Sequence, residues 1–299
     1  LLKDISDSDT VQITQINTMV VFGLNKSGQE VLNSPKKERN RLETPMSFAP
    51  NLSSTRLAEQ YLEQLLIGDR QATRELIQQA LSAGVEPYAL LSELIWPTME
   101  TIQQMYKEDR ITQIQLNLAT RLNRSVCDQL AGRLPMQPKN GRKVLIFCGD
   151  AEPEELGGQI AADLFESAGY TVRFGGGGVP NDEILNMIGE FRPDLLVMFA
   201  TLASGVPQVR KLIDYLREVN SCPNMQIMCA GGIYKRAEGL ADEIGADLYA
   251  PDAPEAVRVA QTQPTRRHSL DQQTVGRMRR IRKAAIRRGE IDPIQAEAA

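Results

Sequence analysis

Five times between residues 143 and 262 the sequence passes from a short apolar run to an amphipathic segment, and few folds accept that rhythm. Val144-Leu145-Ile146-Phe147-Cys148 is apolar without alternation, as expected of a strand covered on both faces. Further strands are predicted at Thr171–Phe174, Leu195–Phe199, Gln226–Cys229 and Leu248–Tyr249. A helix runs through Leu164 and Phe165, with others at Asp182–Glu190, Val206–Val219, Ala237–Ile244 and Pro254–Ala260. Strands separated by helices pair in parallel through right-handed crossovers, so the expectation is a flavodoxin-like, doubly wound five-stranded sheet.

Upstream the period changes to that of helices alone. Leu57, Tyr61 and Leu65 share one face; Ala72, Leu76, Ile77 and Ala80 share a second, with Asp69 placed to cap it and Gly84 to end it. A third segment runs from about Glu86 to Lys107, where Pro97 should kink it. The fourth, about Thr112 to Leu130, aligns Ile114, Leu118, Leu122, Val126 and Leu130. Four such helices with short turns predict an antiparallel bundle. The division expected is a disordered segment at 1–50, a four-helix bundle at 51–134, an α/β domain at 141–262 and a basic tail at 263–299. Between bundle and sheet, Pro135 to Gly141 reads as a linker.

Counting narrows the chemistry. A single histidine, His268, excludes any site that needs two imidazoles, and with it most zinc hydrolases and Ser-His-Asp catalysis. The four cysteines form no Cys-x-x-Cys pair, which suits a reducing, cytoplasmic setting. A net charge of −4 offers no chain-wide field for nucleic acid. Only the tail, with Arg277, Arg279, Arg280, Arg282, Lys283, Arg287 and Arg288, is basic enough to attract one, and it lacks interleaved aromatics. The apolar run Met19–Leu24 is too short to span a membrane.

In an open α/β sheet a ligand sits at the carboxyl ends of the strands, where the winding reverses. Small residues gather there: Gly149 to Gly158 after the first strand, Ala200-Thr201-Leu202-Ala203-Ser204-Gly205 after the third, and Ala230-Gly231-Gly232 after the fourth. Ordinary turn glycines would look the same. The run Gly175–Gly178 closes the second strand but is followed by Val179-Pro180 rather than a helix, so it is no dinucleotide fingerprint. The acids Asp150, Glu152, Glu154 and Glu155 suit a hard cation or, more simply, complement a helix N-terminus.

A bundle, a linker and this sheet resemble the cobalamin-binding modules of methionine synthase, corrinoid methyl-carrier proteins and light-sensing cobalamin-dependent regulators. Ala151–Gly169 is similar to that family's Asp-x-His-x-x-Gly stretch, with Gly157 at its glycine. Val179-Pro180-Asn181-Asp182-Glu183, Ala230-Gly231-Gly232 and Gly245–Ala250 resemble its later turns and closing strand, and about Ser53–Leu134 resembles its cap. The resemblance implies a corrinoid between cap and sheet edge. Carried over residue by residue, it gives candidate cofactor contacts at Glu152, Glu154, Gly157, Ala200, Thr201, Leu202, Gly231, Gly232 and Tyr249, with Tyr106 and Asn117 from the cap.

The departures fall on the cobalt ligand. Glu154 stands where the family has its ligating histidine, and Glu152 where it has the aspartate that orients that histidine. A glutamate is a harder donor and offers no such relay. Phe199-Ala200-Thr201 replaces the serine that meets the displaced nucleotide tail, and Leu116-Asn117 replaces an upper histidine. No catalytic residue and no protein metal ligand are therefore expected. Three readings follow: cobalamin held without a protein ligand, its own base still on cobalt, in a sensory or regulatory module rather than a self-sufficient enzyme; a different planar or phosphate-bearing ligand; or a degenerate scaffold acting through protein contacts. A corrinoid methyl carrier for a methyltransferase is the enzyme-linked alternative. A protein partner and a homo-oligomer stay open.

Overall fold

The computed structural model describes residues 52–219 and 222–267, with 282 and 285–289. The segment 1–50 and most of the basic tail lie outside the described residues. Four helical rods come first. They are α1 (Leu52–Ile67), α2 (Arg70–Ser82), a continuous third rod made of α3 (Pro87–Ala89), a π-helical turn (Leu90–Ile95) and α4 (Trp96–Lys107), and α5 (Gln113–Ala131). Asp69 caps α2 by accepting from the Gln71 and Ala72 amides, and Thr112 with Gln115 forms a capping box on α5. The third rod absorbs Pro97 in a specific way. Proline has no N–H and crowds the carbonyl four residues back; the turn before it widens, so that the Trp96 N–H donates to the Leu91 carbonyl.

The sheet domain alternates β1 (Lys143–Cys148), α6 (Glu152–Ser167), β2 (Thr171–Gly177), α7 (Asn181–Phe191), β3 (Leu195–Phe199), α8 (Val206–Val219), β4 (Gln226–Ala230), α9 (Gly232–Arg236), α10 (Leu240–Glu243), β5 (Leu248–Ala250) and α11 (Ala253–Thr262). All pairings are parallel in the order β2-β1-β3-β4-β5, so the winding reverses between β1 and β3. Of the helix expected at Ala237–Ile244 only the four residues of α10 form, after Gly239 at φ +80°, while the short α9 precedes that range. The glycine run does not close β2 but belongs to it. The register slips by one residue beside Phe147, and a Cβ on Gly175 would lie 2.1 Å from the Phe147 ring.

Two apolar clusters divide the molecule by sheet face. One joins the bundle to α6, α11 and the facing strand residues, including Trp96, Leu156, Ile160 and Phe199; the other packs α7, α8, Tyr234 and Ala241 on the opposite face. The bundle thus shares a core with one face of the sheet, and packing of α5 on α6 fixes α4 above the carboxyl edge. Among the described residues no helix is long and apolar enough to cross a membrane.

Candidate functional site

A cleft of about 530 Å³ separates α4 from the carboxyl edge of the sheet. That size suits a cofactor site. From the cap it is walled by Trp96, Met99, Glu100, Met105 and Lys107; from the sheet side by Pro153, Gly157, Phe199, Thr201 and Arg236. Methionine side chains adapt to irregular apolar surfaces, so Met99 and Met105 suit a large guest. Trp96 is nearly buried, and its Nε1–H has no acceptor. Leaving such a donor unpaired costs stability unless a guest supplies an oxygen.

Beneath the cleft, the slot between α6 and β3 is filled from within the chain. Phe199 is buried and meets Trp96 edge-on, ring centroids 5.8 Å apart. A Cβ on Gly157 would stand 2.6 Å from the Phe199 ring, so the helix glycine makes the recess and the phenyl occupies it. Glu154, also buried, turns its carboxylate to the next loop, accepting from the Thr201 amide at 2.6 Å and the Leu202 amide at 2.9 Å. Gly149 leaves room for that carboxylate, which would lie 2.1 Å from a Cβ there. Amide bonds to an ionised carboxylate are the stronger kind. Glu154 is therefore a brace between α6 and the loop after β3, with both amides on its Oε1.

The residues expected at the site separate accordingly. Gly157, Thr201 and Gly232 line the cleft. Gly231 shapes it from behind: its φ is +107°, and a Cβ would sit 2.4 Å from the Ala200 carbonyl oxygen. Glu152 opens α6, 4.0 Å from Arg121. Ala200 faces a second cavity, about 390 Å³, on the other side of β1 and β3, which also holds Cys148, Asp150 and Ser204. Leu202 and Tyr249 are part-exposed and line neither space. Tyr106 donates to Gln113, whose amide donates to Asn117, a polar chain on the cap surface outside the cleft lining. Burial, with Glu155 and Glu154 nearby, pushes the Cys148 thiol up to about 12 and keeps it a protonated, poor nucleophile.

Sequence reasoning passed over the charged rim. Lys107 and Arg110 from the cap face Lys235 and Arg236 from α9 across the cleft. A signal existed: Gly231-Gly232-Ile233-Tyr234-Lys235-Arg236 places two cations one turn past the paired glycine. Lys235 reaches Glu100 at 3.1 Å and ties sheet to cap. The Arg236 guanidinium donates to the Thr201 carbonyl. Burial, then the neighbouring Arg236, lowers the Lys107 pKa from its usual value. Among the described residues no group of three or more His, Cys, Asp or Glu side chains is arranged to hold a metal ion.

Two family models, each described as a B12 binding domain, match residues 57–131 and 142–258. The chain belongs to the cobalamin-binding module family. This module is 24% identical over 188 residues to dimethylamine corrinoid protein 1 of Methanosarcina acetivorans, covering 62% of this chain and 81% of the relative. To monomethylamine corrinoid protein 2 of Methanosarcina mazei it is 22% identical over 215 residues, covering 70% and 98%. The solved monomethylamine corrinoid protein of Methanosarcina barkeri superposes with a TM-score of 0.63 at 19% identity, covering 70% of this chain and 99% of that one. The helical cap and Rossmann-like sheet of the module are thus the corrinoid-protein fold.

Two tests of fit give different answers. The cleft, with its apolar and methionine walls, fits a large macrocycle. The slot does not fit a nucleotide base, because Phe199 and Glu154 already fill it.

Proposed function

We propose that this module carries a corrinoid in the cleft under α4, presents it to a partner protein, and places none of its own side chains on cobalt. The observation that carries the reading is the cleft itself, lying between cap and carboxyl edge with Trp96 and Phe199 as its apolar sides. A bound corrinoid would supply a cobalt able to take up and release a methyl group. The chain's own part is physical. Met99 and Met105 would lie against an apolar ring face, and the Glu100–Lys235 pair ties cap to sheet. Phe199 and Gly157 close the floor against water. The relatives, corrinoid proteins named for methylamines, favour a carrier serving a methyltransferase over the sensory or regulatory use expected first.

The test is to mix the full chain with hydroxocobalamin, desalt, and record the visible spectrum. The expected result is pigment retained near one equivalent, with a spectrum unchanged by Glu154→Gln. Loss of all colour on desalting would overturn the corrinoid reading and favour the scaffold one. Methyl transfer with a partner methyltransferase would then separate carrier from sensor.

A further inference from the structure

Six charged side chains line the cleft, and they do not balance. Glu100 lies against Lys235, and Glu108 pairs with Arg110 at 3.4 Å. Among the described residues Lys107 and Arg236 have no carboxylate partner. Arg236 spends one N–H on the Thr201 carbonyl, and Lys107 has no recorded acceptor among the described residues. The two cations come from opposite walls, Lys107 from the last turn of α4 and Arg236 from the end of α9. Gly232 is part of the arrangement, since a Cβ there would lie 3.0 Å from Arg236 Nη1. The depressed Lys107 pKa has burial as its main cause and Arg236 as its second. Two like charges at the exposed mouth of the cleft repel, and an anion between them relieves that repulsion.

We propose that Lys107 and Arg236 form an anion seat at the mouth of the cleft that takes the phosphodiester of a corrinoid's nucleotide tail, the tail lying outside the filled slot. The inference rests on the corrinoid reading above and adds which part of the cofactor this chain recognises by charge. The slot between α6 and β3 is closed by Phe199 and by the Glu154 brace, so a displaced nucleotide does not enter it. Its phosphate is then the one anion such a ligand brings to the rim. Lysine and arginine are the side chains suited to hold it.

Dicyanocobalamin and dicyanocobinamide separate the terms. Cyanide occupies both axial positions in each, and only the former has the nucleotide phosphate. The full chain should bind dicyanocobalamin at least about tenfold more tightly, with a preference that shrinks as salt is raised. Lys107→Met keeps the apolar stem and should erase most of that preference; Lys107→Arg should keep it. Equal affinities for the two corrinoids, or a preference that survives Lys107→Met, overturn the assignment of the nucleotide tail to this seat. If the affinities are equal while inorganic phosphate alone raises the melting temperature in a Lys107-dependent way, the seat serves free phosphate and the tail assignment is wrong. Failure to bind either corrinoid overturns the corrinoid reading itself.

Discussion

The cleft under α4 and the slot beneath it share Gly157, Phe199 and the loop at Thr201, yet the first is open to about 530 Å³ while the second holds a phenyl ring and a carboxylate. Both depend on glycines that let neighbouring groups approach. In the cleft, Gly232 gives way to the Arg236 guanidinium; in the slot, Gly157 and Gly149 give way to side chains of the chain's own core. A recess lined by glycine is thus no evidence of a vacancy for a ligand. What decides is the residue opposite, and here the recess that could admit a nucleotide faces Phe199.

The sharpest way to break the contrast is Phe199→Ala, which should convert the filled slot into an open one. Removing a buried phenyl costs about 3–5 kcal/mol where the surroundings cannot collapse. With Trp96 edge-on to the ring and Gly157 behind it, collapse is limited, and the urea midpoint should fall accordingly. A loss under about 1 kcal/mol would mean that the helix closes on the strand and that the ring is not what keeps the slot shut.

Glu154 follows. Bonds from neutral donors to a charged group contribute about 1.5–3 kcal/mol, so Glu154→Ala should cost about 2–3 kcal/mol by denaturant unfolding. Glu154→Gln, which still offers an oxygen, should cost less. Glu154→His is the telling substitution. It restores the family's ligand type but leaves the Thr201 and Leu202 amides without their acceptor, so it should lose stability and add no imidazole-to-cobalt band with hydroxocobalamin. Appearance of that band would show that the brace yields to cobalt and that slot and cleft are one site.

How much of this could be read from sequence differs by level. The parallel strands were legible because β1 and β3 are apolar runs and the short strands alternate with helices, and the four helices because apolar residues such as Leu65, Ile77, Leu94 and Leu130 fall on helical stripes and are buried. The glycines at 149, 157, 231 and 232 were legible as places of close approach. What approaches them was not, because the partner comes from a distant segment: Phe199 is 42 residues from Gly157, and the Thr201 amide is 47 from Glu154. Tyr106 and Asn117 were assigned to the site by their place in the cap, yet Gln113 draws both onto its surface. The cationic rim escaped notice for a related reason, since Lys107 and Arg236 meet only when α4 is laid over α9.

A double-mutant cycle measures the contact directly. Gly157→Ala alone should destabilise by about 1–2 kcal/mol, because overpacking a core by a methyl costs about 1–3 kcal/mol and the better helix former returns up to about 1. In the Phe199→Ala background the methyl meets open space, and the same change should become stabilising by about 0.5–1 kcal/mol. Additive effects would place Gly157 and Phe199 out of contact and remove the account of the filled slot.

The smallest effect tests whether the rigid slot extends into the cap. Asp163 lies on α6 where α5 packs; burial chiefly, then Asp128 and Glu166, raises its pKa to about 6. The unfolded carboxyl titrates near 4, so between about pH 4 and 6 the folded state holds a proton that the unfolded state has released. Its contribution to stability is complete below the unfolded pKa and is lost as pH rises through 6. Asp163→Asn removes that titration. The variant should be more stable than the parent at pH 7.5 by about 1 kcal/mol, allowing for screening of a part-exposed group, and the gain should vanish near pH 4. Unfolding midpoints at the two pH values decide it: a gain independent of pH would trace to packing, and no gain would show that the joint between α5 and α6 is wetter than the slot it supports.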